Sequence, residues 1–433
     1  MVYVNNAQEF INACEQPGDK DIFLNCDISA PEYSMWGKGN LKISAKQLTR
    51  LEVNIYGESG NTLELDNIHF IVRDSVSSGL WFCPNGTDIS RLIVHNTCRI
   101  EGLIWNRGNI TEISGDELIY SRNNLLVDGN GIVIKCKKFD ASLAHKGFRV
   151  RDKTAVLKIL NSDVKVCGED SYPGIDLYSH KNGASLLIEH STVEAVGGAS
   201  MPGIGISNDA YYGTVTIKDS TVIAKGGDGT DSRGPGAGIG GPGLPLQNEG
   251  EKQHTTQADK GCIDLFILEN SNVTATGGNA KSAACGSAAG IGTGGGFDNC
   301  GTNIGEVHID SSTVTVKCGS GETTGAAIGG GGYAGGEGGG ISYPFEIKGS
   351  IVNILLPDGD VCAPGAGIGG GASQKKNGGN AANIKISDSI ITAPPKGDKG
   401  TCIIGGGASV SGARGTVTAE VIKTTIKANN SQG

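Results

Sequence analysis

One short rhythm recurs through the chain and limits what it can fold into: apolar-x-Ile-x-x-Ser-x-Val, with Leu268 for the isoleucine in one copy and Ile391 for the valine in another. It stands at residues 157–162 (Leu-Lys-Ile-Leu-Asn-Ser), 186–191, 215–220, 266–271, 307–312, 345–350 and 384–389. The serines Ser162, Ser191, Ser220, Ser271, Ser312, Ser350 and Ser389 are therefore 29, 29, 51, 41, 38 and 39 residues apart. A second unit alternates with it, as Gly-Ile-Gly-Ile at 203–206, Gly-Ala-Gly-Ile at 236–239 and 365–368, and related runs at 288–291 and 325–328; residues 401–404 are a degenerate last copy. Each unit is short, β-branched and alternates with period two, which reads as strand rather than helix. A strand pair plus a glycine-rich strand, repeated at a minimum of 29 residues, is one coil of a parallel solenoid whose strands stack about 4.8 Å apart. The core strands keep their length and the loops between them vary.

The first 150 residues lack this rhythm. Asn6-Ala-Gln-Glu9 reads as a capping box that opens a short helix with Phe10, Ile11 and Cys14 on one face. Residues 21–28 read as a strand, and strand-like runs at 51–55, 68–72, 92–94 and 125–127 read as irregular early coils. The expected fold is all-β: a right-handed parallel β-helix (solenoid) with a short N-terminal capping helix. Residues 1–150 form the cap and irregular first coils, and 151–433 the glycine-rich regular coils.

Composition excludes other classes. Of 71 glycines, 13 fall in residues 1–150, and all three tryptophans (Trp36, Trp81, Trp105) lie in the first quarter. The G-x-y period of collagen is absent. Apolar residues at 37 % are too many for a disordered acidic tail, and no run of apolar residues reaches membrane-spanning length. A net charge of −9 argues against nucleic acid as a partner. The N-terminus shows no basic-then-apolar leader. The 12 cysteines contain no CxxC pair, which disfavours zinc and thioredoxin chemistry, and most read as reduced core residues.

The helix-then-strand entry and the stacked coils resemble the pectin-lyase-like right-handed parallel β-helix superfamily. The Gly-Ala-Gly-Ile-Gly-Gly runs at 236–241 and 365–370 are similar to those of large bacterial surface proteins. The resemblance implies the fold; lyases, hydrolases, phage tailspikes and adhesins share it, so it names no single activity.

Aligned on its isoleucine, the second unit stacks Ile175, Ile204, Ala237, Ala289, Ala326, Ala366 and Cys402 in a core column. Tyr178, Ser207, Gly240, Gly292, Gly329, Gly369 and Gly405 then form an outward column. This bare glycine face serves either corner geometry or the close approach of a glycan or of another chain, such as a trimer partner. Where the columns change character, Asp176, Tyr178 and His180 stand beside Asn208, Asp209, Tyr211 and Tyr212. Two carboxylates near a histidine and exposed tyrosines are what acid/base glycan chemistry and sugar stacking need; the plainer reading is a solvated polar edge with a turn. Asp176 and Asp209 are the expected catalytic pair, His180 assists, and Tyr178, Asn208, Tyr211 and Tyr212 bind. The loop at 242–261 carries Glu249, Glu251 and His254, expected to border the groove.

No metal site and no cofactor is expected: residues 226–231 match one half of a calcium nonapeptide repeat, which needs tandem copies. The expected function is carbohydrate binding, with cleavage or transfer of glycosidic bonds by paired carboxylates if the protein is an enzyme. Hydrolase or transferase chemistry is favoured over lyase chemistry, because basic residues are scarce near the glycine face. The expected partner is a polysaccharide or oligosaccharide, outside or on the surface of a bacterial cell. The competing class is a non-catalytic structural or adhesive module.

Overall fold

In the computed structural model of the chain, the described residues are all but 38, 58–60, 72–79, 83–90, 107–110, 153, 179–183, 208–212, 245–262, 298–301, 356, 359–360, 395–401 and 429–433; side chains of 34–37, 54–57 and 80–82 are likewise outside the description. The chain is a right-handed parallel β-helix with one helix among the described residues, Ala7–Cys14. It divides into two compact units: residues 1–167 with 183–193, and residues 168–182 with 194–433.

In the first unit the helix forms where the capping box places it. Asn6 Oδ1 accepts the Glu9 N–H at 2.9 Å, and Glu9 Oε2 accepts the Asn5 N–H at 2.7 Å. That bond, strengthened by the Asn5 side chain, holds the Glu9 carboxyl below its usual range. The buried face is Phe10, Ala13 and Cys14, so Ala13 takes the place expected for Ile11. The helix packs on strands Val2–Val4, Lys20–Leu24 and Ile28–Gly37, which splits the single strand expected at 21–28. The irregular early runs are real strands, and longer than expected: Leu41–Gly57, Thr62–Ile71 and Arg91–Glu101.

The repeat's corner chemistry is the same throughout. The residue before each serine adopts the left-handed conformation: Asn161, His190, Asp219, Asn270, Ser311, Gly349 and Asp388 have φ between 47° and 57°. Gly, Asn and Asp tolerate this best, because Gly has no Cβ to clash and the short polar side chains of Asn and Asp offset the cost by hydrogen-bonding locally. The serine that follows is buried. In the second unit each serine N–H donates to the next coil's hydroxyl: Ser220 to Ser271 at 3.1 Å, Ser271 to Ser312 at 3.0 Å, Ser312 to Ser350 and Ser350 to Ser389 at 3.1 Å. The hydroxyl in turn donates to the carbonyl two residues back, as from Ser271 to Glu269 at 2.6 Å and from Ser312 to Asp310 at 2.7 Å. The first unit shows the same step from Ser162 to Ser191 at 3.1 Å. Inward residues between corners stack like on like: Val215, Phe266, Val307, Phe345 and Ile384 share one column and are at most 2 % exposed.

The glycine strands differ from the sequence expectation in two ways. First, Ile204 pairs with Ile239 and Gly205 with Gly240, so the first two coils are shifted by two residues; the column beside the isoleucines reads Asp176, Gly205, Gly240, Gly292, Gly329, Gly369, Gly405. Tyr178 and Ser207 do not belong to it. Second, the glycines do not form an outer face. Gly240, Gly292, Gly329 and Gly369 have φ of 136–144° and are buried. A Cβ at Gly292, Gly329 or Gly369 would overlap the carbonyl oxygen of the glycine one coil on. A returning segment covers the next glycines, and the two passes are laced by backbone bonds alone: Gly339 N–H to Gly331, Gly371 to Gly339, Gly379 to Gly371, Gly407 to Gly379 and Gly415 to Gly407, at 2.8–3.1 Å. A Cβ at Gly330 or Gly370 would meet the carbonyls of Gly339 or Gly379. The glycine face expected to receive a glycan or a trimer partner is therefore filled by the chain's own backbone.

Two glycines with opposite roles separate these effects. Gly329→Ala is expected to lower unfolding stability by roughly 3 kcal/mol, since φ and space both forbid it. Gly349 has φ of 57°, and a Cβ there would meet only ordinary van der Waals neighbours, so Gly349→Asn should stay within about 1 kcal/mol of the parent. Urea unfolding of the two variants checks both.

Candidate functional site

Of the residues expected to carry chemistry, Asp176 and Tyr178 lie among the described residues. His180, Asn208, Asp209, Tyr211, Tyr212, Glu249, Glu251 and His254 lie outside them. Asp176 ends the strand Ile175–Asp176 and pairs in register with Gly205. It is 1 % exposed, and its Oδ1 accepts the Ser207 N–H at 3.0 Å. Through Oδ1 the carboxylate thus holds the 205–207 segment of its own chain. Tyr178 is half-buried just beyond Leu177, whose N–H bonds to the Gly205 carbonyl at 2.7 Å. In the calcium-like run, Asp228 Oδ1 accepts the Asn279 N–H at 2.9 Å, a structural use. Among the described residues no group of three or more His, Cys, Asp or Glu is arranged to hold a metal ion.

A different cluster emerges on the outer side of the strands Leu265–Glu269, Glu306–Asp310 and Phe345–Lys348. Their register aligns two rows of outward residues. Ile267, His308, Glu346 and Lys385 form one; Lys218, Glu269, Asp310 and Lys348 form the other. Between them lies a groove of about 320 Å³, with Ile267 on its floor and Glu269, His308, Asp310, Glu346 and Lys348 around it. Parallel stacking one strand apart brings these side chains together from residues some forty apart in sequence.

Charge braces each row along its length. Lys218 Nζ lies 2.9 Å from Glu269. His308 Nε2 is 2.7 Å from Glu306 Oε1, and its Nδ1 is 3.8 Å from Glu346. Lys385 approaches Glu346 at 3.7 Å, and Ser311 Oγ donates to Asp310 at 2.9 Å. Exposed pairs of this kind add little stability. What they provide is a fixed set of hydrogen-bond donors and acceptors around an aliphatic surface. These residues occupy the variable x positions of the repeat, where no motif marks them. The signal present in the sequence is that three consecutive coils carry an acidic residue at these x positions, Glu269, Asp310 and Glu346, with His308 among them.

The described cysteines other than Cys167 are free, and most of them are buried. Burial pushes the Cys14, Cys136, Cys285 and Cys318 thiols up to about 12 and Cys98 to about 11, which leaves them without thiolate at neutral pH. Among the described residues no helix is long and apolar enough to cross a membrane. Compared with models of known families, with curated proteins and with solved structures, the chain matches none.

Asp176→Ala should destabilise the protein by about 1–3 kcal/mol by leaving the Ser207 N–H without its acceptor, whereas Asp176→Asn, which keeps a carbonyl oxygen there, should come close to the parent. Thermal unfolding of both variants decides whether this carboxylate has the structural role.

Proposed function

We propose that the chain is a carbohydrate-binding parallel β-helix whose glycan site is the groove over Ile267. The observation that carries this reading is the groove's make-up: an aliphatic floor for the C–H face of a sugar ring, ringed by Glu269, His308, Asp310, Glu346 and Lys348 as hydroxyl partners. Cleavage or transfer of a glycosidic bond belongs to the same reading. Glu269 and Asp310 are register partners on adjacent strands, a pair of carboxylate-bearing positions of the kind that glycosidic chemistry uses. Asp209 with His180 is the second carboxylate position under this proposal. No cofactor is required by either. Ligands of this class place the protein outside or on the surface of a bacterial cell.

A non-catalytic structural or adhesive module is the second reading. It is favoured by the burial of Asp176 and its use as a backbone acceptor, which removes one expected catalytic carboxylate from solvent.

Calorimetric titration with soluble oligosaccharides, combined with an assay for released reducing ends, separates the two. Binding that weakens at least tenfold in both Asp310→Asn and Ile267→Asp supports the groove. Reducing ends that appear with the parent and vanish with Glu269→Gln add catalysis. Binding unaffected by either groove variant, or no binding to any sugar, refutes the groove.

A further inference from the structure

The last coil is complete in every element and has one face unmet. Its strands Ile404–Gly405, Val417–Ile422 and Thr425–Ala428 each pair in register with a strand of the coil before, and among the described residues no strand pairs with their other edges. Its corner repeats the device of the earlier coils. Lys423 has φ of 45°, and Thr424, in the place of the serine, donates through Oγ1 to the Ile422 carbonyl at 2.9 Å. The residues that continue the core are nonetheless open to solvent. Val421 and Ile426 extend the columns of Ile386 and Ile391, which are fully buried, yet are themselves 44 % and 47 % exposed. The glycine column has the same open seat. A Cβ at Gly292, Gly329 or Gly369 would overlap a carbonyl of the coil that follows, whereas one at Gly405 would meet, among the described residues, the Cys402 side chain alone.

We infer that this face joins the same face of a second copy of the chain, so that two molecules associate through their last coils about a two-fold axis. A row of strand edges beside exposed aliphatic side chains is a template for further strands. The five residues 429–433 are fewer than the 29 of the shortest repeat and do not supply another coil. The first coil of a second copy does not fit either. The helix Ala7–Cys14 packs on its strands, and Val4, Phe10, Ile22 and Leu24 are at most 1 % exposed. Head-to-tail stacking, which would grow without closing, is blocked by that helix; last coil on last coil closes as a pair. Across a two-fold axis equivalent strands run antiparallel, an arrangement in which backbone groups of any sequence can pair. The coil that meets its equivalent spans residues 402–428, a set of the size that a standard interface uses, roughly 20–30 residues a side. It includes none of the groove residues around Ile267.

Sedimentation of the full chain over a hundredfold range of concentration tests this. The expected result is a monomer–dimer equilibrium with nothing larger. Val421→Lys and, separately, Ile426→Lys place a charge on the open face and should each weaken association at least tenfold while the far-UV spectrum is kept. Leu143→Lys, at a comparably exposed aliphatic residue of the first unit, should leave association unchanged. Hydrogen exchange of the parent chain gives a reading that needs no variant: amides of 417–428 should exchange at least tenfold more slowly in the dimer than in the monomer obtained by dilution. A monomer at every concentration overturns the inference, as does growth beyond the dimer. A dimer that both lysine variants leave intact overturns it as well, and so does equal exchange at 417–428 in dimer and monomer.

Discussion

The regular coils turn on the same small device: a left-handed residue followed by a buried serine, whose hydroxyl along most of the ladder receives the N–H of the serine one coil earlier. The left-handed step reverses the side-chain alternation, so that both flanking strands point their apolar residues into one core. The serine fills the space inside the corner, where the N–H of the preceding coil's serine would otherwise lack an acceptor. A buried amide without a partner is more costly than an average hydrogen bond is favourable. The ladder therefore penalises slippage as well as joining coils. With register fixed at every corner, any outward position lies one strand from its equivalent on the next coil. That is how Glu269 comes to stand beside Asp310, and how the groove acquires its rim.

The glycine lobe solves a different problem by the same means. Where the coil leaves its apolar core, Gly331, Gly371 and Gly407 are laced to Gly339, Gly379 and Gly415 by backbone hydrogen bonds with no side chain between them. A buried segment must satisfy its N–H and C=O groups, and glycine lets neighbouring passes of chain come close enough to do so. The chain thus has an apolar core fixed by side-chain stacking and, beside it, a layer fixed by main-chain bonding. Loop length can vary between coils without disturbing either.

Much of this is legible in the sequence, because the corner is local chemistry. Asn161-Ser162, Asp219-Ser220 and Asn270-Ser271 announce a turn, and the alternation on either side announces strands. Register is less legible. Gly203-Ile-Gly-Ile206 offers two isoleucines at period two, and either aligns with Ile239 on paper; the hydrogen-bonded pairing selects Ile204. The glycine columns look like a bare surface only until the returning segment around Gly339 and Gly379 is placed on them, and nothing in the spacing announces that return. For Asp176, residue type suggests chemistry, and the sequence does not announce its burial or its bond to the Ser207 N–H.

The most direct measurement is on one serine in the middle of the ladder. In Ser312→Ala the Ser271 N–H loses its acceptor, while the Asp310 carbonyl keeps the Asn270 N–H as a donor. Urea unfolding should show a loss of about 1–3 kcal/mol, and hydrogen exchange should quicken at the Ser271 amide ahead of the neighbouring strand amides. Unchanged stability together with unchanged exchange at Ser271 would contradict the view that the buried serines fix the register of the coils.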